Sequence, residues 1–155
     1  MKQQRSSSHS VHQLQVHLVW ITKYRYAVLQ GEMQLRCRDL IRQTCNALDV
    51  QILKGVVSKD HIHLHLSYPP SLKVSDLVKR LKGRSAKLLL AEYPELKRRY
   101  WGGHFWGIGY GAWSVGSITD EILQAYLERH TFVKPTHLRR IPPVNLGTGG
   151  RIRRL

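Results

Sequence analysis

The sequence contains little cysteine, few acids and no long apolar run. Its two cysteines, Cys37 and Cys45, lie eight residues apart in one amphipathic segment, too far apart to form a disulfide. We therefore expect a reducing compartment, the cytoplasm. The longest apolar runs, such as residues 88–91, fall far short of the ~20 residues of a membrane span. Because the first ten residues are polar, no secretory signal is expected. No membrane partner is expected either, since no basic helix carries the bulky aromatic face that surface anchors use.

Acidic residues are scarce relative to basic ones. Ten Asp and Glu stand against 25 Lys and Arg, which gives a formal net charge of +15. Residues 1–12 carry +2 and residues 134–155 carry +6, so residues 13–133 keep +7 of the excess. A chain this basic favours a polyanionic partner, since neutralising phosphates releases condensed counterions. The alternative is a basic surface that only maintains solubility.

The hydrophobic pattern predicts one domain of alternating strands and helices. Strands are predicted over 13–22, 50–57, 61–68 and 110–115, and helices over 32–48, 74–92 and from Ser117 or Thr119 onward. This order fits an α+β fold of the ferredoxin-like or RRM-like type, a split β-α-β-β-α-β antiparallel sheet with helices on one face, followed by a C-terminal helix. Residues 1–12 are predicted to be a flexible lead, 13–133 the domain and 134–155 a basic flexible tail.

Three histidines alternate along one predicted strand. His61, His63 and His65 share a strand face. In a strand, the Cα atoms of residues two positions apart are roughly 6.5–7 Å from each other. His61 and His63 could therefore hold one divalent ion between converging imidazoles. The alternative is that these histidines only pack or form hydrogen bonds.

A tyrosine and a histidine lie one turn apart on the last predicted helix. Tyr126 and His130 occupy positions i and i+4 and so share a helix face. A phenol beside a metal ligand is the arrangement required if a tyrosine attacks a metal-held phosphodiester. Taken alone, a helix tyrosine is more often a packing or interface residue.

Basic and aromatic side chains provide candidates for nucleic-acid contacts. The proposed phosphate contacts are Lys23, Arg25, Lys79, Arg80, Lys82, Arg84 and Lys87. The proposed platforms for unpaired bases are Tyr24, Tyr26, Trp106 and Trp113. Alternatively, the basic helix face is merely solvated and the tryptophans belong to the core.

Several blocks together resemble one family. Asp60-His61-Ile62-His63-Leu64 matches the HUH motif, two histidines flanking a bulky hydrophobic residue. Residues 17–25, 81–86, 101–116 and 126–130 resemble that family's first strand and loop, second helix, glycine-rich stretch and catalytic helix. The family is the small single-tyrosine HUH transposases, which move insertion sequences as single-stranded DNA.

The resemblance implies a mechanism and partners. Such enzymes form homodimers, often with the catalytic helix acting in trans, and recognise hairpins at the element ends. They cleave with Mg²⁺ or Mn²⁺, leaving a 5′-phosphotyrosine and a free 3′-OH. Carried over by motif, Tyr126 is the nucleophile, His61 and His63 are metal ligands, and His130 is the third ligand. The enzyme would be cytoplasmic and nucleoid-associated when bound to DNA.

The sequence departs from the family pattern in two places. Many relatives carry glutamine where this chain has His130. His65 replaces a residue that is usually apolar; it could support the metal ligands or contact DNA, and we interpret it as a strand residue without a role in the site. The departure at His130 leaves room for a catalytically inactive or domesticated relative that binds hairpins. An RNA-binding ferredoxin-like module is a third alternative, suggested only by fold, charge and aromatic content.

Overall fold

The computed structural model describes residues 5–6, 9–100, 102–114 and 119–130. The strands are β1 (Arg5–Ser6), β2 (Val11–His12), β3 (Gln15–Ile21), β4 (Gln51–Val57), β5 (His61–Ser67) and β6 (Gly111–Trp113). The helices are α1 (Gly31–Ala47), α2 (Val74–Glu92), α3 (Leu96–Arg99) and α4 (Asp120–Arg129), with a single 3-10 turn at Lys23–Arg25. No helix among these residues is long and apolar enough to cross a bilayer.

Four strands form the main sheet, in the spatial order β4-β5-β3-β6, with every neighbouring pair antiparallel. The predicted α+β fold with an antiparallel sheet is confirmed. The histidine-bearing strand β5 and its neighbour β3 occupy the centre of the sheet. Side chains of β3 and β5 that point to the same side of the sheet are therefore neighbours along the whole length of the two strands.

The two sides of the sheet carry different helices. On one side, Ile62, Leu64 and Leu66 of β5 join the main core beneath α1 and α2. On the other side, Val19 and Ile21 of β3 form a small second cluster with α4. Because strand residues alternate between faces, burial of the apolar set under α1 and α2 turns His61, His63 and His65 toward the α4 side.

Helix α1 places both cysteines in the core. Cys37 and Cys45 are completely buried and free. Burial raises the pKa of each thiol to about 12, so both remain protonated and unreactive at neutral pH. The prediction that they form no disulfide is confirmed.

Some elements differ from the sequence-based expectation. Residues 5–6 and 11–12, within the predicted flexible lead, form a short antiparallel pair, and Arg5 makes a 2.9 Å ion pair with Asp49. The predicted strand 110–115 is shortened to Gly111–Trp113, and α3 was not foreseen. The basic tail 134–155, Trp101 and residues 115–118 lie outside the described residues.

Candidate active site on the histidine face

A row of imidazoles crosses the centre of the sheet. On β5, His61, His63 and His65 are half-buried on the face that α4 covers. The antiparallel register pairs His65 with His17 of β3, whose ring stacks on it at a centroid distance of 4.0 Å. The His17 ring also lies 5.8 Å from that of His63. His17 was not foreseen as a site residue, although its place on the polar face of β3 was the available signal.

The two histidines of the HUH motif are prepared to bind a ligand. His61 Nδ1 lies 2.8 Å from Oδ1 of the buried Asp60, which orients the ring and leaves Nε2 for a ligand. His63 Nε2 is buried and has no hydrogen-bond partner among the described residues. Burial, together with nearby histidines and Lys54, lowers the pKa of His63 and favours the neutral form that ligates metals. This donor pair fits a divalent ion.

A cavity of about 510 Å³ opens in front of the histidines. Its sheet side is built from β3, β4 and β5, and its other wall from the first turn of α4 and the residue before it. Its lining residues are His17, Lys54, Val56, Ser58, His61, His63, His65, Thr119, Asp120 and Leu123. The cavity is therefore an imidazole-rich cleft between the sheet and α4, with one basic residue, Lys54, and one acidic residue, Asp120, in its lining.

Helix α4 begins as predicted at Thr119, whose Oγ1 accepts a 3.3 Å hydrogen bond from the backbone N–H of Ile122. Leu127 is the buried residue of this helix and packs against Val19 and Ile21. Leu123 and Tyr126 are half-buried beside it. The helix thus rests on the sheet through a narrow apolar stripe.

Tyr126 lies above strand β6. Its ring meets that of Trp113 edge-on at 5.9 Å, and the Trp113 indole in turn occupies the space where a Cβ at Gly111 would collide. The Tyr126 hydroxyl is buried without a hydrogen-bond partner in the described part of the chain, and burial raises its pKa. The His130 ring lies 4.5 Å from that of Tyr126, tilted by 37°, and its Nδ1 lies 2.8 Å from the Tyr126 carbonyl oxygen.

The predicted site residues thus form two pairs. His61 and His63 share one strand, and Tyr126 and His130 share one helix. Tyr126 is not among the cavity-lining residues, and β3 separates β5 from the β6 strand beneath it. Across residues 5–6, 9–100, 102–114 and 119–130, no three His, Cys, Asp or Glu side chains come together as a metal-binding group.

Several predicted phosphate contacts have intramolecular partners. Lys82 Nζ donates to the carbonyl oxygens of Gly107 and Gly109 at 2.8 and 2.9 Å. Arg25 binds Asp60 and the Leu127 carbonyl oxygen, both at 3.0 Å. The Lys23 ammonium lies 5.2 Å from the Tyr24 ring centroid.

The remaining basic candidates lie on the opposite side of the sheet from the histidines. Lys79, Arg80 and Arg84 line a groove between α1 and α2, where Arg84 also donates to Gln43 Oε1 at 2.8 Å. Of the aromatic candidates, Tyr26 and Trp106 are buried in the main core, so they do not offer a free stacking face.

Comparison with known proteins places this architecture in context. Residues 10–130 match the sequence model of the family described as transposase IS200 like. The chain is 38% identical over 118 residues to the ISDra2 transposase TnpA of Deinococcus radiodurans, covering 76% of this chain and 84% of that protein. It is 33% identical over 128 residues to the transposase for insertion sequence element IS200 of Salmonella typhimurium, covering 83% and 84%.

Two solved structures are also similar. A crystal structure of a Deinococcus radiodurans R1 protein assigned as a transposase superposes with a TM-score of 0.77 at 32% identity, covering 83% of this chain and 99% of that one. A REP-associated tyrosine transposase bound to a REP hairpin superposes with a TM-score of 0.53 at 13% identity, covering 81% and 67%. The second likeness is one of fold.

Proposed function

Because the chain belongs to the family of IS200-like transposases, we propose that it cleaves and rejoins single-stranded DNA at the ends of an insertion sequence through a phosphotyrosine intermediate. The observation that carries this proposal is the oriented His61–His63 pair facing the helix of Tyr126. We assign residues 13–133 as the catalytic domain and 134–155 as an accessory basic tail. The enzyme would act in the cytoplasm, on the nucleoid.

In the proposed reaction, the Tyr126 hydroxyl oxygen attacks the phosphorus of one phosphodiester. The phosphorus–O3′ bond breaks, the phenolic proton leaves the tyrosine, and the departing 3′ oxygen takes up a proton. The products are a 5′-phosphotyrosine and a free 3′-OH. Rejoining is the reverse: a 3′-OH attacks the phosphotyrosine and returns Tyr126 to a phenol, so that no external energy source is needed.

The histidines would bind the metal ion that holds the scissile phosphate. His61 and His63 would hold Mg²⁺ or Mn²⁺, with Asp60 fixing the ring of His61. The bound ion would polarise the phosphate and offset the charge that develops on it. His130 is assigned as the third ligand on the ground that it shares a helix face with Tyr126.

We propose that these two pairs meet in a homodimer, where α4 of one copy serves the His61–His63 pair of the other. The placement of Tyr126 over β6 supports this arrangement. With strands about 4.8 Å apart, β6 lies roughly 10 Å across the sheet from β5. The proposed substrate is single-stranded DNA with hairpins at the element ends, which agrees with the strong positive charge.

Metal removal tests the chemistry. We expect a covalent protein–DNA adduct on a denaturing gel when labelled single strands from both flanks of the gene are incubated with Mg²⁺ or Mn²⁺. EDTA should abolish the adduct, and readdition of the ion should restore it. An adduct that is equally abundant in EDTA would contradict the metal-assisted mechanism.

A relative that binds hairpins without cutting is the second candidate. It is favoured by the buried, unpartnered hydroxyl of Tyr126 with its raised pKa and by the separation of the two residue pairs within one chain. This candidate predicts a retarded band on a native gel, no covalent adduct with any metal, and an affinity that does not depend on Tyr126.

Substitution of two lysines on α2, Lys79 and Lys82, distinguishes a lysine that contacts DNA from one that stabilises the fold. We expect Lys79→Met to reduce the salt dependence of single-strand binding by about 0.7 in log–log slope, the value for one phosphate contact, without changing stability. Lys82→Met should instead lower the free energy of unfolding by about 1–2 kcal/mol, because it removes the ammonium that holds the carbonyl groups of Gly107 and Gly109.

Binding titrations at several salt concentrations and urea unfolding of both variants measure these two effects. A lower slope for Lys82→Met together with unchanged stability would show that Lys82 contacts DNA rather than the glycine-rich loop.

A further inference from the structure

Arg25 lies at the junction between the histidine strand and α4. It belongs to a turn in which Tyr24 and Arg25 both adopt left-handed backbone conformations, with φ of 60° and 51°. Non-glycine residues rarely adopt this conformation, and it persists only where surrounding contacts enforce it. Contacts on both sides hold this turn: the backbone N–H of Arg25 donates to the Thr22 carbonyl oxygen at 2.9 Å, and Thr22 Oγ1 shares its one hydrogen between the carbonyl oxygens of Tyr26 and Asp60, at 2.8 and 3.2 Å.

The guanidinium group of Arg25 makes two contacts of different kinds. One terminal nitrogen binds Asp60 Oδ2 at 3.0 Å, while the other oxygen of Asp60 holds His61 Nδ1 at 2.8 Å. The second terminal nitrogen donates to the carbonyl oxygen of Leu127 at 3.0 Å. Each oxygen of the Asp60 carboxylate thus holds a different partner, Oδ2 the guanidinium of Arg25 and Oδ1 the imidazole of His61.

The Leu127 contact matters because α4 is weakly held. The helix has ten residues and Leu127 as its buried residue, and an isolated helix of that length is marginal in water. A cation is favoured at the C-terminal end of the helix dipole. The carbonyl oxygen of Leu127, the residue that follows Tyr126, accepts the backbone N–H of His130 at 3.1 Å, and Arg25 is its second donor.

We propose that Arg25 is a positioning residue that docks the Tyr126 helix onto the same carboxylate that orients His61. Its role for the reaction rests on the function proposed above, but the docking does not. Arg25 would act through Asp60 and the helix backbone rather than by contacting a DNA phosphate. Its fork of donors is what permits simultaneous bonds to a carboxylate and a carbonyl group.

Hydrogen exchange of the full-length protein tests the docking directly. We expect Arg25→Gln to reduce the protection of amides in α4 by about tenfold, while amides of β5 and α1 keep their protection. Glutamine, like arginine, is unbranched at Cβ, so the strain of the left-handed backbone is matched. Arg36→Gln is the control, because it breaks another arginine–carboxylate pair, with Glu92 at 2.8 Å, on the far side of the sheet. It should leave α4 unchanged.

Arg25→Lys keeps a cation but not the fork of donors, so it should lose part of the α4 protection and provides a second variant if Arg25→Gln folds poorly. Unchanged α4 protection in both variants would overturn the proposal. So would a uniform loss of protection over the whole chain, which would assign Arg25 to general stability.

The kinetic consequence separates this proposal from the function itself. If the wild-type protein forms the DNA adduct, Arg25→Gln should slow adduct formation in single turnover by tenfold or more while the dissociation constant for hairpin DNA stays within twofold. A weaker affinity with an unchanged rate would overturn the positioning role in favour of a phosphate contact. If the wild type forms no adduct, the proposed function fails, and hydrogen exchange still decides whether Arg25 docks α4.

Discussion

Tyr126→Phe should abolish the covalent adduct while leaving the protein at least as stable as the wild type. The loss of activity follows from removing the only oxygen that can carry the phosphoryl group in the proposed reaction. Where the nucleophile of an enzyme has been removed, kcat falls by about 10⁶, so the adduct should drop below detection. Hairpin binding should be retained, because the aromatic ring stays in place against Trp113.

The stability prediction comes from the surroundings of the hydroxyl group. Tyr126 Oη is buried without a hydrogen-bond partner among the described residues, and leaving such a group unsatisfied costs about 1–3 kcal/mol. Phenylalanine removes the polar atom and keeps the ring. The melting temperature of Tyr126→Phe should therefore equal or exceed that of the wild type. A gain in stability combined with a loss of activity is expected where a residue is retained for chemistry.

The measurements are the denaturing gel, the native gel and thermal unfolding, run side by side. Tyr93→Phe is the matched control, since Tyr93 ends α2 on the opposite side of the sheet and should keep normal adduct formation. Normal cleavage by Tyr126→Phe would eliminate the tyrosine mechanism. A clear loss of stability would show instead that the hydroxyl group has a structural partner.

The sequence predicted the fold because its strongest signals are periodic. Alternation in residues 61–67 places Ile62, Leu64 and Leu66 on one face, and a strand with one buried face has a fixed register. The same alternation predicted that His61 and His63 lie side by side. The i, i+4 spacing likewise predicted the pairing of Tyr126 with His130, whose rings are 4.5 Å apart.

Partners far apart in the chain could not be predicted in this way. Lys82 and Arg25 were expected to contact phosphates because charge indicates only that a side chain needs an anionic or polar partner. In the structure those partners are the Asp60 carboxylate and the carbonyl groups of Gly107, Gly109 and Leu127, and backbone carbonyls are identical at every position of a sequence. Only tertiary packing determines which of them a cation reaches.

His17 illustrates an intermediate case. The alternation of the first strand puts His17 on the face opposite Leu18 and Trp20, but the sequence does not assign the pairing of that strand with β5 residue by residue. The register that aligns His17 with His65 follows once the two strands are paired as central neighbours. A shift of one residue would have turned His17 into the main core, where an imidazole would need a buried partner.

The sharpest remaining expectation concerns which copy of the chain supplies the tyrosine. Consider heterodimers, isolated through two different tags, that combine a Tyr126→Phe chain with a His63→Ala chain. If α4 acts in trans, one site contains intact histidines from the first chain and an intact tyrosine from the second. Such heterodimers should form the adduct at about half the wild-type level, although each variant alone is inactive. If α4 acts on its own sheet, every site lacks one essential group and no adduct forms.

The reciprocal heterodimer makes this test self-controlled. A chain carrying both His63→Ala and Tyr126→Phe, paired with a wild-type chain, has no complete site in trans but one complete site in cis. The two heterodimers each contain one intact and one substituted residue at positions 63 and 126, and they differ only in how these are distributed between the chains. Differences in folding or DNA affinity therefore cannot mimic the result.

Activity confined to the first heterodimer supports action of α4 in trans, whereas activity confined to the second places Tyr126 at the His61–His63 pair of its own chain. In the second case, α4 must move across the sheet from its position over Trp113, and such a movement has to break both the apolar packing of Leu127 and its hydrogen bond to Arg25.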